Sequence, residues 1–293
     1  MTLSTAISIA NVHLQVSDLT RSLGFYQNAL GLQVLRAEGQ TAWLSANGEP
    51  PHLLQISALP NALPRPPRTS GLFHVAFRLP DRLALARLFY RLVALEVPFQ
   101  GFADHAVSEA LYLADPDGNG LELYRDRPRA DWPFTNGQVQ MTTDPLDVDR
   151  LLHEGTHSLE TSHRIDPETD IGHIHLQVGD LERAERFYVD LIGMEVMQRS
   201  YPGALFIATD GYHHHIGLNI WAGRNVPPAP ENTVGLRHFS IAIPDADAWR
   251  AKLNKMQTAG RTIKRLDEID QESFAVKDDD SIEVRLVYRP TPP

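Results

Sequence analysis

VHLQVSDLTRSLGFYQNALGLQVL at residues 12–35 returns, in the same order of residue types, as IHLQVGDLERAERFYVDLIGMEVM at 174–197. A second pair, LFHVAFRLPD at 72–81 and LRHFSIAIPD at 236–245, repeats likewise, so the chain is two similar halves. Each half divides again. Segments beginning near residues 10, 73, 172 and 237 open with strand-like alternation, followed by an aspartate and a helical stretch. In the first and third, Asp18 and Asp180 can cap a helix that ends at Gly31 or Gly193. Short strands such as TAWLSA at 41–46, HLLQIS at 52–57 and GLELYR at 120–125 follow, and each module reads β-α-β-β-β. The fold class is α+β. The expected division is a first domain at 1–128 (modules 8–62 and 70–128), a linker at 129–168, and a second domain at 169–293 (modules 169–225 and 234–293). Prolines and acidic residues mark the linker, in which DPLDVDRLLHEG suits one short helix.

The 293 residues can hold two domains with substantial cores, and 42% hydrophobic with 22% charged residues is an ordinary balance for a globular protein. A net charge of −10 disfavours nucleic acid and favours small molecules as partners. No apolar run is long enough for a membrane span, and the N-terminus lacks a signal-peptide pattern, so a cytoplasmic protein is expected. The absence of cysteine excludes disulfides, thiolate metal sites and cysteine nucleophiles. Any metal must be held by nitrogen and oxygen.

Side chains alternate between the faces of a strand, so GHIHLQV sends Ile174, Leu176 and Val178 to the helix and His173, His175 and Gln177 to the opposite, concave face. FHVAF sends His74 to that face, and GLELY sends Glu122, which is costly there unless something positive binds it. Extending the alternation through GYHHHIGLN at 211–219 puts His213, His215 and Asn219 in the concavity and turns His214 away. The plainer readings are that His175 lines the pocket, that His213 and His214 support it or face solvent, and that Trp132 and the pairs Phe25–Tyr26 and Phe187–Tyr188 are core or interface. DPDGNG at 115–120 reads as a hairpin turn that needs no calcium.

The HxxLxVxDL module starts, the DPDGNGLEL strand and the four-module length resemble the vicinal oxygen chelate superfamily. HIHLQVGDLERAERFY, GYHHHIGLN and DHAVSEALYLADPDGNGLELYRDRP resemble, more narrowly, its type I extradiol catechol 2,3-dioxygenases. The resemblance covers nearly the whole chain and implies modules paired into two half-barrel domains of glyoxalase/extradiol dioxygenase type. In one of them Fe(II), or alternatively Mn(II), is held by two histidines and a glutamate, leaving positions for a small aromatic diol and dioxygen. By position in the family, the first-strand ligand candidates are Asn11, His74, His173 and His238, and the last-strand carboxylates are Glu122 and Glu283. His13 is offset from the family position. Only module two carries the family's tyrosine ten residues before the glutamate, Tyr112, with His105 upstream. The resemblance therefore implies a site of His74, Glu122 and His173 from modules two and three, with His173, His238 and Glu283 as second choice. It further implies His215 as the base that takes the diol proton, and His105 or Tyr112 as the groups that hydrogen-bond intermediates or protonate the leaving oxygen. The role implied is aromatic ring cleavage by a homo-oligomer, with no nucleic-acid or membrane partner. With asparagine at 11, the second pseudo-site is expected to hold no metal. A glyoxalase-like isomerase, a thiol transferase and a metal-free binding protein are the alternatives on the same fold.

Overall fold

The computed structural model describes residues 7–156, 163–268 and 271–290. Module one comprises β1 (Ser8–Val16), α1 (Leu19–Gly24), β2 (Gln33–Glu38), β3 (Thr41–Ser45) and β4 (Leu54–Ala58). Module two comprises β5 (Gly71–Leu79), α2 (Arg82–Ala94), β6 (Phe99–Asp104), β7 (Ser108–Ala114) and β8 (Gly120–Asp126). A hairpin of two-residue strands, β9 (Phe134–Thr135) and β10 (Gln138–Val139), and α3 (Val148–Thr156) occupy the connection, with α3 formed by the segment expected to be helical. Module three comprises β11 (Asp170–Gln177), α4 (Leu181–Glu185), β12 (Glu195–Gln198), β13 (Ala204–Ala208) and β14 (Ile216–Asn219). Module four comprises β15 (Gly235–Ile243), α5 (Ala246–Thr258), β16 (Ile263–Glu268), β17 (Gln271–Lys277) and β18 (Glu283–Tyr288).

Every module helix starts on an aspartate. The carboxylates of Asp18, Asp81, Asp180 and Asp245 each accept the backbone N–H three residues on, at 2.7–2.9 Å. Each such cap is worth ~1 kcal/mol relative to alanine. The alternation then sends Val12, Leu14, Val75, Phe77, Ile174 and Leu176 inward, all nearly or wholly buried in one core shared by the helices. α1 and α4 widen into π-helical stretches, Phe25–Leu30 and Arg186–Leu191, which the repeat alone does not reveal. Each stretch directs a buried tyrosine to an aspartate in the last turn of the following module: Tyr26 Oη donates to Asp115 Oδ2, and Tyr188 Oη to Asp278 Oδ2, both at 2.9 Å. In the connection, Gly155 of α3 sits against α2 so closely that a Cβ would lie 2.3 Å from the Ala86 carbonyl oxygen.

Two eight-stranded mixed sheets result, in the orders β16-β17-β18-β15-β1-β4-β3-β2 and β12-β13-β14-β11-β5-β8-β7-β6. Module one thus shares a sheet with module four, and module two with module three. Sequence neighbours do not pair as the domains 1–128 and 169–293 implied; each of those stretches lends one module to each sheet. β1 lies antiparallel to β15 with Val12 opposite Phe239, and β5 lies antiparallel to β11 with Val75 opposite Ile174. All four first strands expose the same kind of edge, so the pattern that defines a module leaves its partner open.

Candidate metal centre and active site

The sheet of modules two and three brings three expected ligands to one row. Ala76, at the middle of β5, is opposite His173 on β11 and alongside Glu122 on β8. Its methyl group is fully buried and leaves room on the concave face for both side chains. His74, two residues earlier, completes the group, and one ligand atom from each of His74, Glu122 and His173 lies within 4.8 Å of the others. Glu122 Oε2 is 2.9 Å from His173 Nε2 and 2.9 Å from His74 Nε2. The contact with His74 lacks hydrogen-bond geometry, so that buried nitrogen has no hydrogen-bond partner among the described residues. A cation between a carboxylate and two imidazole nitrogens would satisfy all three, and this donor set suits iron, manganese or zinc.

Electrostatics fit the same conclusion. Burial alone would raise Glu122, but His173 and His74 beside it outweigh that and hold it well below the usual carboxylate range. Burial pulls His173 down to about 4 against the attraction of Glu122. At neutral pH the pair is therefore an ionised carboxylate and a neutral imidazole, the forms that bind metal.

A cavity of about 340 Å³ opens beside the cluster, walled chiefly by apolar and aromatic groups including Phe73, Leu113, Tyr201, Phe206 and Trp221. Tyr112 and His105 line it. Tyr112 stands opposite Glu122 in the β7–β8 pairing, and its Oη is 2.7 Å from His105 Nε2. His105 Nδ1 is 2.5 Å from the Thr142 carbonyl, which can only accept, so Nδ1 carries the proton and Tyr112 Oη donates to Nε2. Burial, then the Glu122 charge, push the Tyr112 phenol well above its ordinary value and keep it a donor. His175 lines the cavity with a buried Nε2 that has no hydrogen-bond partner among the described residues. Its ring covers Gly217, where a Cβ would lie 2.8 Å from the imidazole.

The three consecutive histidines sort differently from expectation. β14 begins only at Ile216, so strand alternation does not extend to 213–215. His214, expected to turn away, lines the cavity and packs at a tilt against His173 with ring centroids 4.1 Å apart. His215, the expected base, is not among the cavity residues; it packs on Tyr212 and its Nδ1 accepts the Thr209 N–H at 3.3 Å. His213 is fully buried between His214 Nδ1 at 2.7 Å and Asp126 Oδ1 at 2.8 Å. Linker residues Met141, Thr142 and Thr143 form part of the wall, and buried Trp132 packs on His213 behind it. Sequence reasoning missed these linker residues because nothing in their types marks them.

The second-choice set does not assemble. His238 and Glu283 belong to the other sheet, apart from His173, with His238 Nδ1 4.0 Å from Glu283 Oε1. Nor does Glu283 occupy the place of Glu122. Ser240, the counterpart of Ala76, pairs with Asn11 and with Arg285, so Arg285 stands where Glu122 does. The turns before these strands agree: Asp115 Oδ1 accepts N–H from Asp117 and Asn119, and Asp278 Oδ1 from Asp280 and Ile282. Glu283 therefore lies two residues before the position that Glu122 holds in module two.

The sequence profile of the glyoxalase/bleomycin resistance protein/dioxygenase superfamily matches residues 8–123 and 170–286, and the chain belongs to that superfamily. Within it the chain is an enzyme of the catechol 2,3-dioxygenase-like kind: it is 44% identical to a catechol-2,3-dioxygenase of Bacillus subtilis (strain 168) over 278 residues, 92% of this chain and 93% of that one. Among solved structures, a Bacillus subtilis protein provisionally described as a dioxygenase shares the fold, with a TM-score of 0.68 at 12% identity over 98% of this chain and 87% of that one. Glyoxalase I from Zea mays aligns with a TM-score of 0.59 at 17% identity, covering 97% and 92% of the two chains. Among the described residues no helix is long and apolar enough to cross a membrane.

Proposed function

We propose that the protein opens the ring of a small catechol-type diol next to its two hydroxyls, using dioxygen and Fe(II), with Mn(II) as the alternative metal. The observation that carries this reading is the buried cluster of His74, Glu122 and His173 beside an apolar cavity of about 340 Å³. Bound to that cluster, the metal would supply adjacent coordination positions for the diol oxygens and dioxygen, and a path for electrons between them. Phe73, Phe206 and Trp221 offer aromatic surface to the substrate ring and exclude water from it. We assign the proton released by the diol to His214, in place of His215, because His214 lines the cavity and burial holds it neutral, well below its ordinary pKa. Tyr112 is protonated in the resting site, so it can give its proton to the leaving oxygen and recover one through its partner His105.

The test is anaerobic purification, loading with Fe(II) or Mn(II), and addition of catechol and air while the yellow ring-opened product is followed. His74→Ala and Glu122→Ala lose metal and colour together, whereas His238→Ala keeps both. Full colour in a Glu122→Ala protein would overturn the assignment.

A further inference from the structure

The sheet of modules one and four has its own concave cavity, of about 420 Å³, which shares no lining residue with the first. Its centre is the first site rewritten. Asn11 stands in the place of His173 and Arg285 in that of Glu122, both paired to Ser240 as the originals are to Ala76. His238 alone keeps a ligand type, and a guanidinium has no lone pair to offer a cation. A guanidinium thus stands where the first centre has its carboxylate.

We propose that this second cavity is a binding site for a small planar carboxylate, held by Arg285 and Arg36 against the ring of Trp43. Arg36 and Arg285 both line the cavity, with His52, Gln55 and His238, and no aspartate or glutamate is among its described lining residues. Arg285 Nε donates to Glu283 Oε1 at 2.9 Å, which fixes the plane of its guanidinium. Arg36 lies 3.9 Å over the Trp43 ring, so one wall combines a cation with a flat apolar surface. Behind the centre, His238 Nδ1 is 3.3 Å from His13 Nδ1, and His13 Nε2 is 2.7 Å from Ser57 Oγ, which holds His238 in place. A guanidinium fork matches a carboxylate, an aromatic wall matches a planar body, and the uncharged amides and hydroxyl of Gln55, Asn11 and Ser240 accept either. The surrounding histidines register the same positive field. Burial and then Arg285 lower His238 to about 2 and His13 to about 3, while burial, Arg289 and Arg36 lower His52 to about 4. A bound anion would offset that field. The proposal does not rest on the function assigned to the first site.

Benzoate, with benzamide as its uncharged counterpart, tests this by titration calorimetry on the full-length protein. Benzoate is expected to bind one per chain and benzamide at least tenfold more weakly. Arg285→Met and Arg36→Gln should each weaken benzoate at least tenfold, while Glu122→Ala leaves it unchanged. Circular dichroism checks folding, and if Arg285→Met fails to fold, Arg36→Gln decides. Benzoate affinity that survives Arg36→Gln, or that disappears with Glu122→Ala, overturns the proposal, as does absence of binding.

Discussion

Replacing His13, His52 and His238 together by glutamine should flatten the acid side of the stability profile. The folded protein holds these imidazoles at about 3, 4 and 2, against an ordinary 6.5, with burial the largest cause in each case. A depressed folded-state pKa means that the unfolded chain binds more protons, so the contribution to stability is complete above pH 6.5 and is lost as pH falls toward the folded values. At pH 5 the unfolded chain has taken up nearly a full proton at each site while the folded chain has not, which costs ~2 kcal/mol per histidine. The three sites interact, so ~6 kcal/mol is the upper limit for the set, already comparable with the whole stability of many domains. Urea unfolding at pH 7.5 and pH 5 gives the difference directly. The wild type should lose several kcal/mol more than the triple variant between these values. Equal losses would show that these histidines are solvated enough to titrate normally, and would refute the burial argument.

Ala76→Leu forces a larger side chain between His173 and Glu122; it should cost ~1–3 kcal/mol and abolish metal uptake measured by elemental analysis, while circular dichroism stays native. Tyr112→Phe removes the hydroxyl bonded to His105 but no metal-binding atom, so turnover should fall ~10²-fold or more with metal content unchanged; a loss of metal would contradict the division of roles. Tyr26→Phe strips Asp115 of a buried donor and should lower stability by ~1–3 kcal/mol in urea unfolding, with the Tyr188→Phe variant matching it at the equivalent position.

Much was legible in the sequence by itself. The repeat marks the modules, four aspartates mark the helix starts, and alternation in FHVAF, GHIHLQV and GLELY assigns His74, His173 and Glu122 to one kind of face. These are local properties, set by caps and by the two-residue period of a strand. Tertiary structure decided the rest. Equivalent strand edges can pair in more than one way, so the strand pattern alone does not join module two to module three, a pairing that the resemblance implies and the sheet order shows. Alternation cannot separate residues two apart, so Glu283 and Arg285 look interchangeable until the pairing of Ser240 with Arg285 sets the register. Alternation also fails outside a strand, and because β14 starts at Ile216 the chain turns His214, not His215, into the cavity. The exchange of Glu122 for Arg285 between the two cavities follows from that register, since a sheet brings together residues that are far apart in the chain.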